Sequence, residues 1–326
     1  MHRCRSACVS LLALPCLLNW GAAFAQSQPL QEVTVSASRI LDHRTLAHAV
    51  SGFVESHSAP GTRINQLGRW HQNVCPQVTG LQPAFSNLVI REILNVARGI
   101  GAPTRAEGRT CSVNVQIIFT PDPQRLLTHI AQAYRPLLGF YPAAQVAQMT
   151  TFTRPIQAWY QTGTRSMDYQ PPVIGLSKGP PPSDAQFNPA ADSPFLTGVQ
   201  LDSDVTAMGM QPSGVAGSRI AKGLRSEFAH VLIIADSTRV ARYSLRSIAD
   251  YAAMLSLTRM SQLDECAPLP SITDLLAPSC ATSAPEALTA ADRAYLKALY
   301  SANLEQTLNL ERGDVHELMM RQIEGR

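Results

Sequence analysis

The sequence predicts an α+β fold with mixed α/β layers, and three stretches carry that prediction. Asn87–Arg98 reads as an amphipathic helix, Val113–Phe119 as a strand and Gln124–Ala133 as a second helix, an alternation that builds an α/β layer. Phe228–Ala235 is an almost continuous apolar run, the pattern of a strand buried on both faces. Ser244–Leu257 then sets Leu245, Ile248, Ala252 and Leu255 at spacings of three and four, so one stripe of a helix faces a core.

Taken in order, the chain opens on a targeting segment. Arg3 and Arg5 form a positive start, Val9–Trp20 is apolar, and Ala23-Phe24-Ala25 is a small-x-small cleavage pattern. The apolar run is shorter than the roughly 20 residues that span a bilayer. The expectation is a signal peptide over residues 1–25, cut after Ala25, and a periplasmic protein. Ala13-Leu14-Pro15 before Cys16 fits a lipoprotein signal poorly.

Cleavage would remove Cys4, Cys8 and Cys16 and leave Cys75, Cys111, Cys266 and Cys280, an even number in an oxidising compartment. Three pairings are possible, and sequence order favours Cys75–Cys111 with Cys266–Cys280. The shorter bridge would stabilise the fold by roughly 3 kcal/mol if loop entropy governs. The 27 basic and 24 acidic residues are nearly balanced, and losing Arg3 and Arg5 narrows the gap further. That balance gives no electrostatic footprint for nucleic acid. No later run reaches membrane-spanning length, so no span is expected after cleavage.

Residues 26–45 read as a flexible polar leader. Within it Glu32–Arg39 (EVTVSASR) resembles the TonB-box stretch of outer-membrane TonB-dependent receptors, whose plug and barrel this chain is too short to contain. Residues 46–165 form an N-terminal α/β part. Its further elements are a short helix at Ala47–Glu55, an extended stretch at Arg69–Gly80 and a strand at Phe152–Thr162. Ser86 reads as the N-cap of the Asn87 helix, Gly99 and Gly101 as its close, and Pro121 and Pro123 as breaks after the first strand. Residues 166–220, rich in Pro and Gly, read as a long excursion between core elements. Residues 221–326 form the C-terminal part.

In that part, Ser244 can cap the helix that follows it, and Arg246 and Asp250 sit four apart, so a surface ion pair is predicted. Thr289 and Asp292 form a capping-box signal ahead of a helix that ends at Leu299-Tyr300, with Ala291, Tyr295, Ala298 and Leu299 on its buried side. Leu255-Ser256-Leu257, Leu288-Thr-Ala-Ala-Asp292 and Leu299-Tyr300 together resemble structural positions of zincin metallopeptidases: a strand, a central helix and a C-terminal helix. Aligned on these, Ala249 and Ala253 fall at the two zinc-binding histidines, Asp250 at the general-base glutamate and Arg259 at the third ligand. A methyl group has no lone pair to give, so the resemblance implies a scaffold without zinc hydrolysis. The chain also resembles uncharacterised exported proteins of proteobacteria through Arg69-Trp70, Cys75-Pro76, Ala249-Asp-Tyr-Ala-Ala-Met-Leu255 and Leu269-Pro-Ser-Ile272.

Other chemistry is sparse. His316-Glu-Leu-Met-Met320 begins like a zinc motif but has Met320 in place of the second histidine, and reads as an exposed helix. His230 with Asp236 and Ser237 could be drawn as a triad, without the Gly-x-Ser-x-Gly elbow that would support it. No phosphate or dinucleotide loop is present, so no cofactor is implied. The binding candidates are Trp70, His71 and Asp250, with packing of Trp70 against the Cys75 disulfide as a competing role. The functional expectation is an exported, non-catalytic binding or scaffold protein with an envelope protein or ligand as partner. The alternatives are an envelope hydrolase using Asp250 or His230, and an accessory to TonB-linked transport.

Overall fold

Two of the predicted strands, at the centre of the chain's only described sheet, organise everything else. The computed structural model describes residues 42–61, 64–106, 111–139, 141, 143–166, 224–280 and 284–325. The signal segment, the Glu32–Arg39 stretch and the excursion beyond Ser166 as far as residue 220 lie outside those residues. All described residues belong to one compact unit, Leu41–Arg326.

The sheet is mixed, in the order β1-β2-β4-β3. β1 (Pro76–Thr79), β2 (Val115–Thr120) and β4 (Leu224–Asp236) run parallel, and β3 (Ile156–Ser166) pairs antiparallel with β4 at the edge. Every residue of β2 is buried, because helices cover both faces. Val115, Ile117, Val231 and Ile233 point into the larger core, while Ile118, Leu232, Ile234 and Trp159 point into a smaller one under α3 (Pro123–Ala133). Gly80 ends β1 at φ +83°, where a Cβ would stand 1.9 Å from Phe119 O, so a side chain is excluded there.

The larger core lies between the sheet and five helices: α1 (His43–His57), α2 (Pro83–Ile100), α4 (Leu245–Leu257), α5 (Ala290–Ser301) and α6 (Leu308–Ile323). α1 starts four residues before the predicted Ala47, because Asp42 accepts from Arg44 and Thr45 N–H at 2.9 Å each and caps it. α2 starts at Pro83, whose missing N–H costs nothing at a first helical position. Ser86 is therefore inside the helix rather than its cap, and Gly101, left-handed at φ +83°, closes it. β3 begins later than Phe152 and runs past Thr162 through an irregularity at Gln161/Thr162. α4 and α5 have the predicted caps: Ser247 N–H donates to Ser244 Oγ at 3.0 Å, and both halves of the Thr289/Asp292 box are made.

Both favoured disulfides are present. Cys75–Cys111 and Cys266–Cys280 have Cα–Cα distances of 6.1 and 5.6 Å. Among the described residues, no helix is long and apolar enough to cross a membrane.

Candidate functional site

α4 carries Ala249 and Ala253, the positions expected above to replace two zinc-binding histidines, and it is enclosed from its third residue onward. Every residue from Ser247 to Leu257 is buried. Its C-terminal carbonyls, which no intrahelical N–H can satisfy, meet side chains instead. Trp70 Nε1–H donates to Ser256 O at 2.7 Å, Tyr300 O–H to Leu257 O at 3.1 Å, and the Tyr160 hydroxyl lies 2.8 Å from Leu255 O and 3.1 Å from Thr258 O. Ala249 and Ala253 are fully buried in the larger core, and Arg259 donates to Pro60 O at 2.5 Å. Two methyl groups and a guanidinium do not fit zinc. Among the described residues no three His, Cys, Asp or Glu side chains group as metal ligands.

Trp70 is 1% exposed, packs edge-on against Phe228 at 5.5 Å and so serves the core, not a cleft. His71 beside it is half-buried. His230 is sealed within β4; burial depresses its imidazole to about 4, so it is neutral. Asp236 accepts from Thr238 and Arg239 N–H as a helix cap, roughly 20 Å along the strand from His230. No triad forms. His316 is half-buried rather than exposed, its Nε2 lying 3.1 Å from Ala47 O where α6 meets α1.

Asp250 departs most from its predicted surroundings. It is buried, and its Oδ2 accepts from Leu288 N–H at 3.0 Å. Arg246 instead stands 3.8 Å from Glu92 of α2. The predicted Arg246–Asp250 surface pair is replaced because α4 turns Asp250 toward α2 and α5. Burial, and then the Asp250 carboxylate, hold the Glu92 carboxyl above its ordinary value, against the pull of Arg246 and Arg293. A carboxyl whose folded value is raised stabilises the protein at low pH, and that contribution is lost as pH rises through the folded value. Glu92→Gln is therefore expected to raise the melting temperature at pH 8 and to leave it nearly unchanged at pH 4. The Arg246 contact it gives up is mostly solvated and worth little. Melting curves across that range check the sign.

A second polar cluster joins the end of α1 to the 3₁₀ turn Ile272–Leu276 and to α5. His57, the last residue of α1, stacks on Phe53 with ring centroids 3.7 Å apart. Its Nδ1 lies 2.9 Å from Phe53 O, an atom that can only accept, which assigns the proton to Nδ1. Nε2 is 3.2 Å from Ser271 Oγ, and Ser271 donates to Asp292 Oδ1 at 2.6 Å. Asp292 also accepts from Ile272 and Thr289 N–H at 2.9 and 2.8 Å. Burial lowers the imidazole to about 3 and raises the Asp292 carboxyl, while the donors on Asp292 pull the other way.

The cluster contains a Ser, a His and an Asp in an order unsuited to hydrolysis. The histidine must stand between the other two to take the serine proton and be held by the carboxylate. Here the serine is in the middle, fully buried, with its proton directed to Asp292.

In front of His57 opens a pocket of about 510 Å³, lined mainly by polar groups that include Glu55, Gln262, Glu265, Thr273 and Arg312. The Cys266–Cys280 bridge fixes one wall, since Cys266 lines it. These residues come from positions 55, 57, 262, 265, 273 and 312. Only the cysteine and the capping signals nearby stood out in the sequence. No protein-family model, curated protein or solved structure matches the chain.

Proposed function

We propose that this chain is an exported, periplasmic protein that binds a ligand or partner without catalysis, on a degenerate zincin-like core. The observation that carries the reading is the pair of fully buried methyl groups, Ala249 and Ala253, at the positions the resemblance assigns to two zinc-binding imidazoles. The succession of β4, an enclosed central helix α4 and a C-terminal helix α5 supports the zincin-like arrangement. Export is supported by the Arg3–Ala25 pattern and by two disulfides that use all four cysteines beyond it. The binding role rests on the polar pocket at the end of α1. Hydrolysis through Asp250 or His230 is disfavoured, because both are sealed, at 2% and 1% exposure.

Metal analysis of the mature protein tests this reading, purified from the periplasm without chelators or a histidine tag. The expected result is no stoichiometric zinc and no peptidase activity on unfolded protein substrates. One tightly held zinc per chain would overturn it.

A further inference from the structure

The pocket in front of His57 holds opposite charges that do not neutralise one another. Glu55 and Glu265 are exposed, Arg312 is half-buried, and all three line it. None of them makes an ion pair among the described residues. Arg312 is held from one side, with Nε donating to Ser58 Oγ at 3.0 Å and Nη2 to Ser58 O at 2.7 Å, which leaves Nη1 for another acceptor. Ser58 is itself buried and fixed by donating to Val54 O at 2.5 Å, so the guanidinium is anchored to the end of α1.

A fixed cation and two carboxylates that share one cavity without touching each other leave a gap that a ligand of both signs completes. Charge-assisted hydrogen bonds are the strong ones available to such a ligand. The exposed Gln262 amide in the same lining adds hydrogen-bonding groups without adding charge. About 510 Å³ lies within the range of small-molecule sites.

We propose that this pocket binds a compact zwitterion, a free amino acid or a short peptide, with its ammonium on Glu55 and Glu265 and its carboxylate on Arg312. The inference rests on the binding reading above and names the ligand class of that same site.

Calorimetric titration of the mature, disulfide-bonded chain tests it. The probes are a pool of the standard free amino acids, trialanine, N-acetyl-trialanine and trialanine amide. Saturable binding of the amino-acid pool or of trialanine is expected, and which of them binds tells the free amino acid from the peptide. Blocking either end of the bound zwitterion is expected to weaken it roughly ten- to hundredfold. Glu265→Gln should weaken the zwitterion while leaving the N-acetyl form unchanged. Arg312→Gln should do the same with respect to the amide. Glu265 is exposed, so its variant keeps the test intact if Arg312→Gln fails to fold.

The proposal is overturned if no zwitterionic probe binds, or if binding survives the loss of either charge. A zinc-free protein that ignores every probe removes this inference and leaves the scaffold reading standing. A zinc-loaded protein removes the scaffold reading first.

Discussion

Asp292→Ala is expected to destabilise the folded chain by about 4 kcal/mol, because it strands several buried donors at once. The carboxylate is 0% exposed and accepts from Ser271 O–H, Ile272 N–H and Thr289 N–H. A buried donor left without an acceptor costs about 1–3 kcal/mol. With the side chain gone, Ser271 can turn its proton to His57 Nε2 at 3.2 Å, which recovers part of the loss. The two backbone N–H groups cannot turn. Asp292→Asn is the sharper variant, since its amide keeps the shape and one acceptor but presents an N–H₂ to a backbone donor. Urea unfolding followed by far-UV circular dichroism reads both. An unchanged midpoint for Asp292→Ala would mean that the junction of α1, the Ile272–Leu276 turn and α5 is not held by this carboxylate.

The capping box around Asp292 was readable from Leu288-Thr-Ala-Ala-Asp292, because it is local: acceptor and donor sit three residues apart. The same carboxylate's bonds to Ser271 and Ile272 were not, because they span about twenty residues and depend on how two segments meet. The same limit applied to Asp250. Its spacing to Arg246 pointed to a surface pair, but which face of α4 is covered depends on its neighbours, and these bury every residue from Ser247 to Leu257 while Arg246 stays exposed.

Periodicity served well where burial is one-sided or complete. The apolar run of β4 and the stripe of Ile248, Ala252 and Leu255 on α4 are instances. It served less well at element ends, where Asp42 starts α1 by accepting from backbone N–H groups and Pro83 starts α2 by having no N–H to satisfy, neither of which is a hydrophobic pattern. The pocket was the least legible feature. Its charges are single Glu and Arg residues on α1, on the segment before Cys266 and on α6, without any spacing that marks them.

Arg69, Trp70 and Ser271 have a common physical role. Arg69 Nη1 reaches the carbonyls of Leu299, Tyr300 and Ala302 at 3.2, 3.1 and 2.9 Å, closing the end of α5. Trp70 closes the end of α4, and Ser271 of the Leu-Pro-Ser-Ile stretch ties the 3₁₀ turn to α5. Adjacent residues of one extended segment thus cap two different helices. A motif of this kind maintains architecture, and its residues mark the fold rather than a site of chemistry.

Trp70→Ala measures that distinction directly. The side chain is 1% exposed, and truncating a buried tryptophan costs about 3–5 kcal/mol through lost transfer energy and the cavity left behind. Ser256 O also loses its Nε1–H donor. Trp70→Phe keeps a ring against Phe228 and loses only part of the volume with that one hydrogen bond, so a substantially smaller cost is expected. Both effects act on unfolding alone. At temperatures where the variants remain folded, trialanine and the amino-acid pool should bind Trp70→Phe as they bind the natural chain, because Trp70 stands against β4 and the end of α4 while the pocket is built from α1, α6 and the Cys266 segment. A Trp70→Phe variant with normal stability and lost binding would return Trp70 to the role of a recognition residue and would require a second, opened conformation of the segment that carries it.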